Sequence, residues 1–307
     1  MCSTLLGSRW ALLDERRVVC AGASAHQRRG MDFGKDRQIT MTAETSVAPP
    51  FYVPSGNEIE MFEAAHRQCL PVMLKGPTGV GKTRFVEAMA HRLGSELITV
   101  SCHEDLTSSD LVGRFLLEGD RTVWTDGPLT RAVRDGAICY LDEIVEARQD
   151  TTVVLHSLTD HRRILAIDRL NITLQAPPEF QLVVSYNPGY QSLLKDLKDS
   201  TRQRMVGIEL GFPSEDVELQ VVQHETGIGH AVAHCLVRLA AAIRRVEAAG
   251  LREVASTRTL VTAGRLMAAG VDAPSAAWAA LGAPLTDDPQ MSEELRVLID
   301  TYISAAE

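Results

Sequence analysis

Gly76-Pro77-Thr78-Gly79-Val80-Gly81-Lys82-Thr83 is a complete G-x-x-x-x-G-K-T stretch. Residues 71–75 before it form a short apolar run, expected as a buried strand. Residues 83–93 after it place Phe85, Val86, Met89, Ala90 and Leu93 on one helical face, with Gly94 as the stop. A strand–loop–helix context is what this pattern needs to become a phosphate cradle. The glycines let backbone N–H groups turn inward, Lys82 brings a point charge to the outer phosphates, and the Thr83 hydroxyl can ligate Mg²⁺.

Outward from this loop, apolar runs alternate with helical patterns. Residues 97–101, 137–141, 181–186 and 206–210 read as four more strands. Buried runs separated by helices predict a parallel α/β sheet with both faces covered. The run Ala137-Ile138-Cys139-Tyr140-Leu141 ends in Asp142-Glu143, about 55 residues past the loop. Asp142 at the strand end is placed to hold Mg²⁺, and Glu143 to polarise an attacking water. The strand over 181–186 ends in Asn187-Pro188. The Asn187 amide either bonds the terminal phosphate or the water, or simply starts a turn.

After Gly211 the strand signals stop. Ser214 caps a helix whose first turn carries Glu215 and Asp216, and which runs to Gly227. Helices over 231–249 and 257–269 follow, stopped by Gly250 and Gly270, with shorter ones after Pro274 and Ser292. The expected organisation is a tail over 1–45, an α/β core over 46–211 and a helical lid over 212–307. The tail mixes small residues with seven Lys or Arg and shows no period. It reads as disordered, and Met31 and Met41 are alternative starts.

The bulk numbers weigh against several classes. The net charge of −9 is a poor match for wrapping nucleic acid. No apolar run reaches the ~18 residues of a membrane span, and the cytoplasm is the expected location. The six cysteines are scattered without a C-x-x-C pair, which suits reduced thiols. His230 and His234 lie at i, i+4 beside Cys235. Without a clear third ligand they read as a polar helix edge.

The loop, the Asp-Glu strand end, the strand-end Asn and the helical lid together resemble AAA+ ATPases. Cys102-His103-Glu104-Asp105-Leu106, Asp126-Gly127-Pro128-Leu129-Thr130, Ser185-Tyr186-Asn187-Pro188-Gly189-Tyr190 and Ser200-Thr201-Arg202-Gln203-Arg204 resemble the MoxR group. They are most similar to its CbbQ/NirQ/NorQ branch, with GvpN more distant. The resemblance covers roughly residues 50–300 and implies ATP with Mg²⁺. It also implies a homo-oligomeric ring, a hexamer, and an adaptor with a von Willebrand A domain. The implied client is Rubisco or a metalloenzyme such as nitric oxide reductase.

By the same resemblance Arg204 is the arginine offered to a neighbouring subunit's nucleotide, with Arg202 as a second candidate. Arg258 is the lid arginine on the chain's own nucleotide. Two hairpins, over 116–123 and 164–174, would face the pore or the partner, with Trp124 either contacting that partner or packing beneath. Ala166, Asp168 and Asp199 depart from the group's pattern, outside the ATP chemistry. A static ATP-binding assembly factor is the rival reading, disfavoured by Glu143 and Arg204. A DNA motor is disfavoured by the acidic charge.

Overall fold

The computed structural model describes residues 49–188, 199–247 and 255–303; the tail over 1–45 lies outside them. Nine strands follow in chain order: β1 Val72–Lys75, β2 Leu97–Ser101, β3 Gly113–Glu118, β4 Arg121–Asp126, β5 Ile138–Asp142, β6 Ile164–Ile167, β7 Ile172–Gln175, β8 Gln181–Tyr186 and β9 Val206–Glu209. Five of them form one parallel sheet in the order β2-β5-β8-β1-β9. The central strand pair is in register at Val72↔Val183, and β9 joins the other side of β1 at Val72↔Val206.

Alternation along these strands feeds two cores. Val72, Leu74, Ile138, Tyr140 and Val183 face one side and pack with Phe62, Phe85, Val86 and Met89. Met73, Cys139, Leu141, Leu182 and Val184 face the other and pack with Leu111, Leu129, Val133 and Leu155. This is the two-sided burial that the unbroken apolar runs predict. Each fully buried Leu or Phe contributes about 1.5–3 kcal/mol of hydrophobic stabilisation.

The loop-bearing helix Lys82–Leu93 starts at Gly81 and stops at Gly94, both left-handed with φ 98° and 64°. Glycine takes these angles without a Cβ penalty. After β9 the chain is helical. Glu215–Thr226 starts at Ser214, whose hydroxyl accepts from the Val217 N–H, and His230–Glu247 follows. Thr257–Ala268 starts at Ser256, then Ala273–Ala277 and Pro289–Ile303. Val222, Leu236, Leu239, Ile243, Leu260, Leu281 and Leu295 form their common core.

Both hairpins are present, with wider bounds than expected. In the first, β3 and β4 pair from Gly113↔Asp126 to Glu118↔Arg121, so Gly119-Asp120 alone makes the turn. In the second, β6 and β7 pair around a single turn of 3₁₀ helix over Asp168–Leu170 and a left-handed Asn171. Pro289–Ile303 is 15 residues long and begins before Ser292, so the last helix is not short. Trp124 packs edge-on against Phe115 at 5.1 Å and donates from Nε1 to Asp126 Oδ1 at 2.6 Å. These contacts match the packing reading of Trp124. Among the described residues no helix is long and apolar enough to cross a membrane.

Candidate functional site

A cavity of about 850 Å³ opens between the C-terminal ends of the strands and the helical segment. Thr78, Gly79, Val80, Gly81, Lys82 and Thr83 form its floor, Asp142 and Glu143 one wall, and Arg258 another. A crevice at the carboxyl ends of parallel strands is where open α/β sheets bind ligands.

The loop is held tightly. A Cβ on Gly76 would collide with the Leu210 carbonyl oxygen, and one on Gly79 with the Ser256 side chain. Lys82 is buried, and its ammonium donates to Gly76 O at 2.7 Å, Pro77 O at 2.9 Å and Asn187 Oδ1 at 2.7 Å. Asn187 Nδ2 donates to Thr78 Oγ1 at 2.6 Å. Asn187 therefore ties the end of β8 to both ends of the loop. Burial lowers the Lys82 pKa to about 8; Asp142 and Glu143 oppose that shift, and Arg258 adds to it.

At the end of β5, Asp142 Oδ1 accepts from Tyr140 Oη at 2.7 Å and from Ser185 Oγ. Ser185 Oγ in turn accepts from the Glu143 N–H at 3.0 Å. Glu143 has φ 56°, left-handed and uncommon for a residue with a Cβ. Such backbone clusters at functional sites. The bend exposes its carboxylate at the cavity wall. Burial, with the bond to Asp142 adding to it, holds the Tyr140 hydroxyl well above the usual tyrosine range, so it stays a donor.

Thr83 and Asp142 together offer oxygen donors on the cavity wall, the set that Mg²⁺ takes. The glycine cradle, the buried ammonium and this oxygen pair fit a nucleoside triphosphate with Mg²⁺.

Two arginines stand apart. Arg204 is exposed, donates from Nη1 to His156 O at 3.1 Å, and is not among the residues lining the cavity. Arg202 turns back on Tyr186, with its Nη2 3.3 Å from Oη and its guanidinium 5.9 Å from the ring centre. The rest of the loop between Asn187 and these arginines, over 189–198, lies outside the described residues.

Sequence reasoning missed an aromatic part of the cavity lining. Phe51 and Tyr52 line the cavity; Phe51 stacks on His224 at 3.8 Å and Tyr52 bonds Glu58 at 2.8 Å. An aromatic pair just before the first patterned element was the available signal. His230 and His234 stack on one helix edge, and the described residues contain no metal-ligating cluster. Cys102 and Cys139 are buried free thiols whose pKa burial pushes up to about 12.

The comparisons with known proteins agree with this geometry. Residues 71–205 match the family described as AAA domain, dynein-related subfamily, and residues 218–302 match CbbQ/NirQ/NorQ C-terminal. The chain is 55% identical over 255 residues to Protein CbbQ of Hydrogenophilus thermoluteolus, covering 83% of this chain and 96% of that protein. It is 54% identical over 257 residues to the denitrification regulatory protein NirQ of Pseudomonas aeruginosa, covering 84% and 99%. It is 56% identical over 253 residues to Protein NorQ of Paracoccus denitrificans, covering 82% and 94%.

Proposed function

This chain belongs to the CbbQ/NirQ/NorQ family of AAA+ ATPases, and from that membership we propose that it works as one subunit of a ring, a hexamer, that spends ATP to remodel a client enzyme. The observation that carries the reading is a division of labour. Glu143 lines the chain's own cavity, while Arg204 is exposed outside it. A site whose transition-state charge is met by Arg204 is then completed only by a neighbour.

Within one subunit the roles follow from position. The N–H groups of the loop and the Lys82 ammonium bind the phosphates. Thr83 and Asp142 would hold Mg²⁺, which would supply positive charge against the phosphates. Glu143 takes a proton from the attacking water as its oxygen bonds the terminal phosphorus and the bond to the bridging oxygen breaks. ADP and phosphate leave. Asn187, bonded to Lys82 in this structure, would orient the terminal phosphate, and Arg258 would meet the nucleotide from the lid.

The lid is set to respond. Glu225 bridges Arg84 on the loop-bearing helix at 3.1 Å and Arg265 at 2.9 Å. Arg84 and Arg265 are largely exposed, so each bond contributes only about 0–1 kcal/mol. Nucleotide contacts can therefore shift the lid angle at small cost, and a client contact follows it. The adaptor carries a von Willebrand A domain, and the client is Rubisco or nitric oxide reductase.

Two expected results arise here. ATP binds the charged form of Lys82, whose pKa in the free protein is about 8. As pH rises through that value the free protein loses the proton, and binding must restore it. Raising pH from 7 to 9 should weaken ATP binding about tenfold, read by fluorescent-nucleotide titration. A flat profile would show that Lys82 stays charged across this range in the free protein. Specific ATPase activity should also rise with protein concentration as rings form. A monomer fully active at high dilution would overturn the ring.

A further inference from the structure

Behind Arg258 the lid contains a buried ion pair that the hydrolysis chemistry leaves unused. Glu218 is 1% exposed. Arg244 grips it with both ends of the guanidinium, Nη1 to Oε2 at 2.9 Å and Nη2 to Oε1 at 2.7 Å. The remaining edge, Nε, donates to Ala255 O at 2.7 Å. Thr257 Oγ1 donates to Glu218 Oε1 at 2.6 Å. The Arg244 guanidinium also lies 4.1 Å from the ring centre of Phe212, a cavity-lining residue where the chain passes from β9 into the first lid helix.

If this pair only held helices together, apolar side chains of the same volume would do so at lower desolvation cost. The bonds instead converge on one short segment. They fix residues 255 and 257, on either side of Ser256, which packs on Gly79 of the phosphate loop. Arg258 is next in the chain. The fork also reaches Phe212, so the segment bearing Arg258 is tied to the connection, or joint, between β9 and the first lid helix.

We infer that Glu218 and Arg244 are a positioning pair for hydrolysis, setting where Arg258 meets the nucleotide and linking that placement to the joint at Phe212. This rests on the reading of Arg258 as a nucleotide contact. Arg244→Lys keeps the charge but loses the fork and the flat stack.

The test is a double-mutant cycle in the full-length chain, reading steady-state ATP turnover with thermal unfolding as the folding control. Arg258→Ala should lower kcat/KM at least ~10-fold, and Arg244→Lys should do so by ~5-fold or more. In the Arg258→Ala background, Arg244→Lys should add less than ~2-fold, because both act through one contact. Losses that multiply would overturn the positioning role, whatever Arg258 does. Full activity of Arg258→Ala would instead overturn the reading on which the inference rests. If Arg244→Lys does not fold, Glu218→Gln, which keeps the shape but weakens the fork from a residue outside the cavity lining, carries the same cycle. Multiplying losses there overturn the inference equally.

Discussion

Replacing Glu143 by Gln is expected to leave ATP binding near normal and to slow hydrolysis ~10² to 10⁴-fold, the usual contribution of a general base. The substitution keeps the side chain's shape and removes only its capacity to accept the proton. The backbone that aims it should survive, because the Glu143 N–H bond to Ser185 Oγ and the Ser185 bond to Asp142 do not involve the carboxylate. Binding should persist if, as proposed, the phosphates are held by the loop and Lys82 and not by Glu143. The contrast is Lys82→Ala, which removes the ammonium bonded to Gly76, Pro77 and Asn187 and should lose binding itself. Single-turnover hydrolysis beside nucleotide titration separates the two. Full turnover by Glu143→Gln would remove Glu143 as the base.

The left-handed backbone at Glu143 was not legible in the chain. An apolar strand ending in Asp-Glu gives the residue types and their spacing, but not the φ of 56° that turns the second carboxylate into the cavity. What was legible is whatever repeats locally. The alternation along β5 and β8, and the helical face of Phe85, Val86 and Met89, name their own partners by period. Gly81 and Gly94 mark both ends of that helix, because only a residue without a Cβ takes those angles cheaply.

Hairpin limits were harder. Gly113 and Asp126 pair at the base of the first hairpin, and neither belongs to the apolar run that signals the strands. The Glu218–Arg244 pair joins residues 26 apart, on two helices whose surface charges look alike in sequence. Glu215 and Asp216 at the helix start suit the helix dipole, while Glu218, one turn on, is the buried one. Long-range polar pairing carries no local period, so the fold had to supply it.

Arg204→Ala should bind nucleotide well and hydrolyse it ~10³-fold or more slowly, the range for an arginine that meets transition-state charge. The substitution should cost little stability. Arg204 is exposed, and its hydrogen bond from Nη1 goes to the His156 carbonyl on the surface. Turnover should fall while the cavity stays intact, since Arg204 does not line it. Arg202→Ala is the control, because Arg202 folds back on Tyr186 instead.

Mixing Arg204→Ala with Glu143→Gln subunits tests the shared site most directly. Each variant alone should retain only the small residual turnover given above. In a randomly mixed ring, about a quarter of the interfaces pair an intact Glu143 from one subunit with an intact Arg204 from the next, one half times one half, as a head-to-tail ring requires. ATPase activity should therefore recover to about a quarter of the normal value at equal mixing, if sites turn over independently. Rings shown to contain both variants, yet no more active than either alone, would contradict a site completed by the neighbouring subunit.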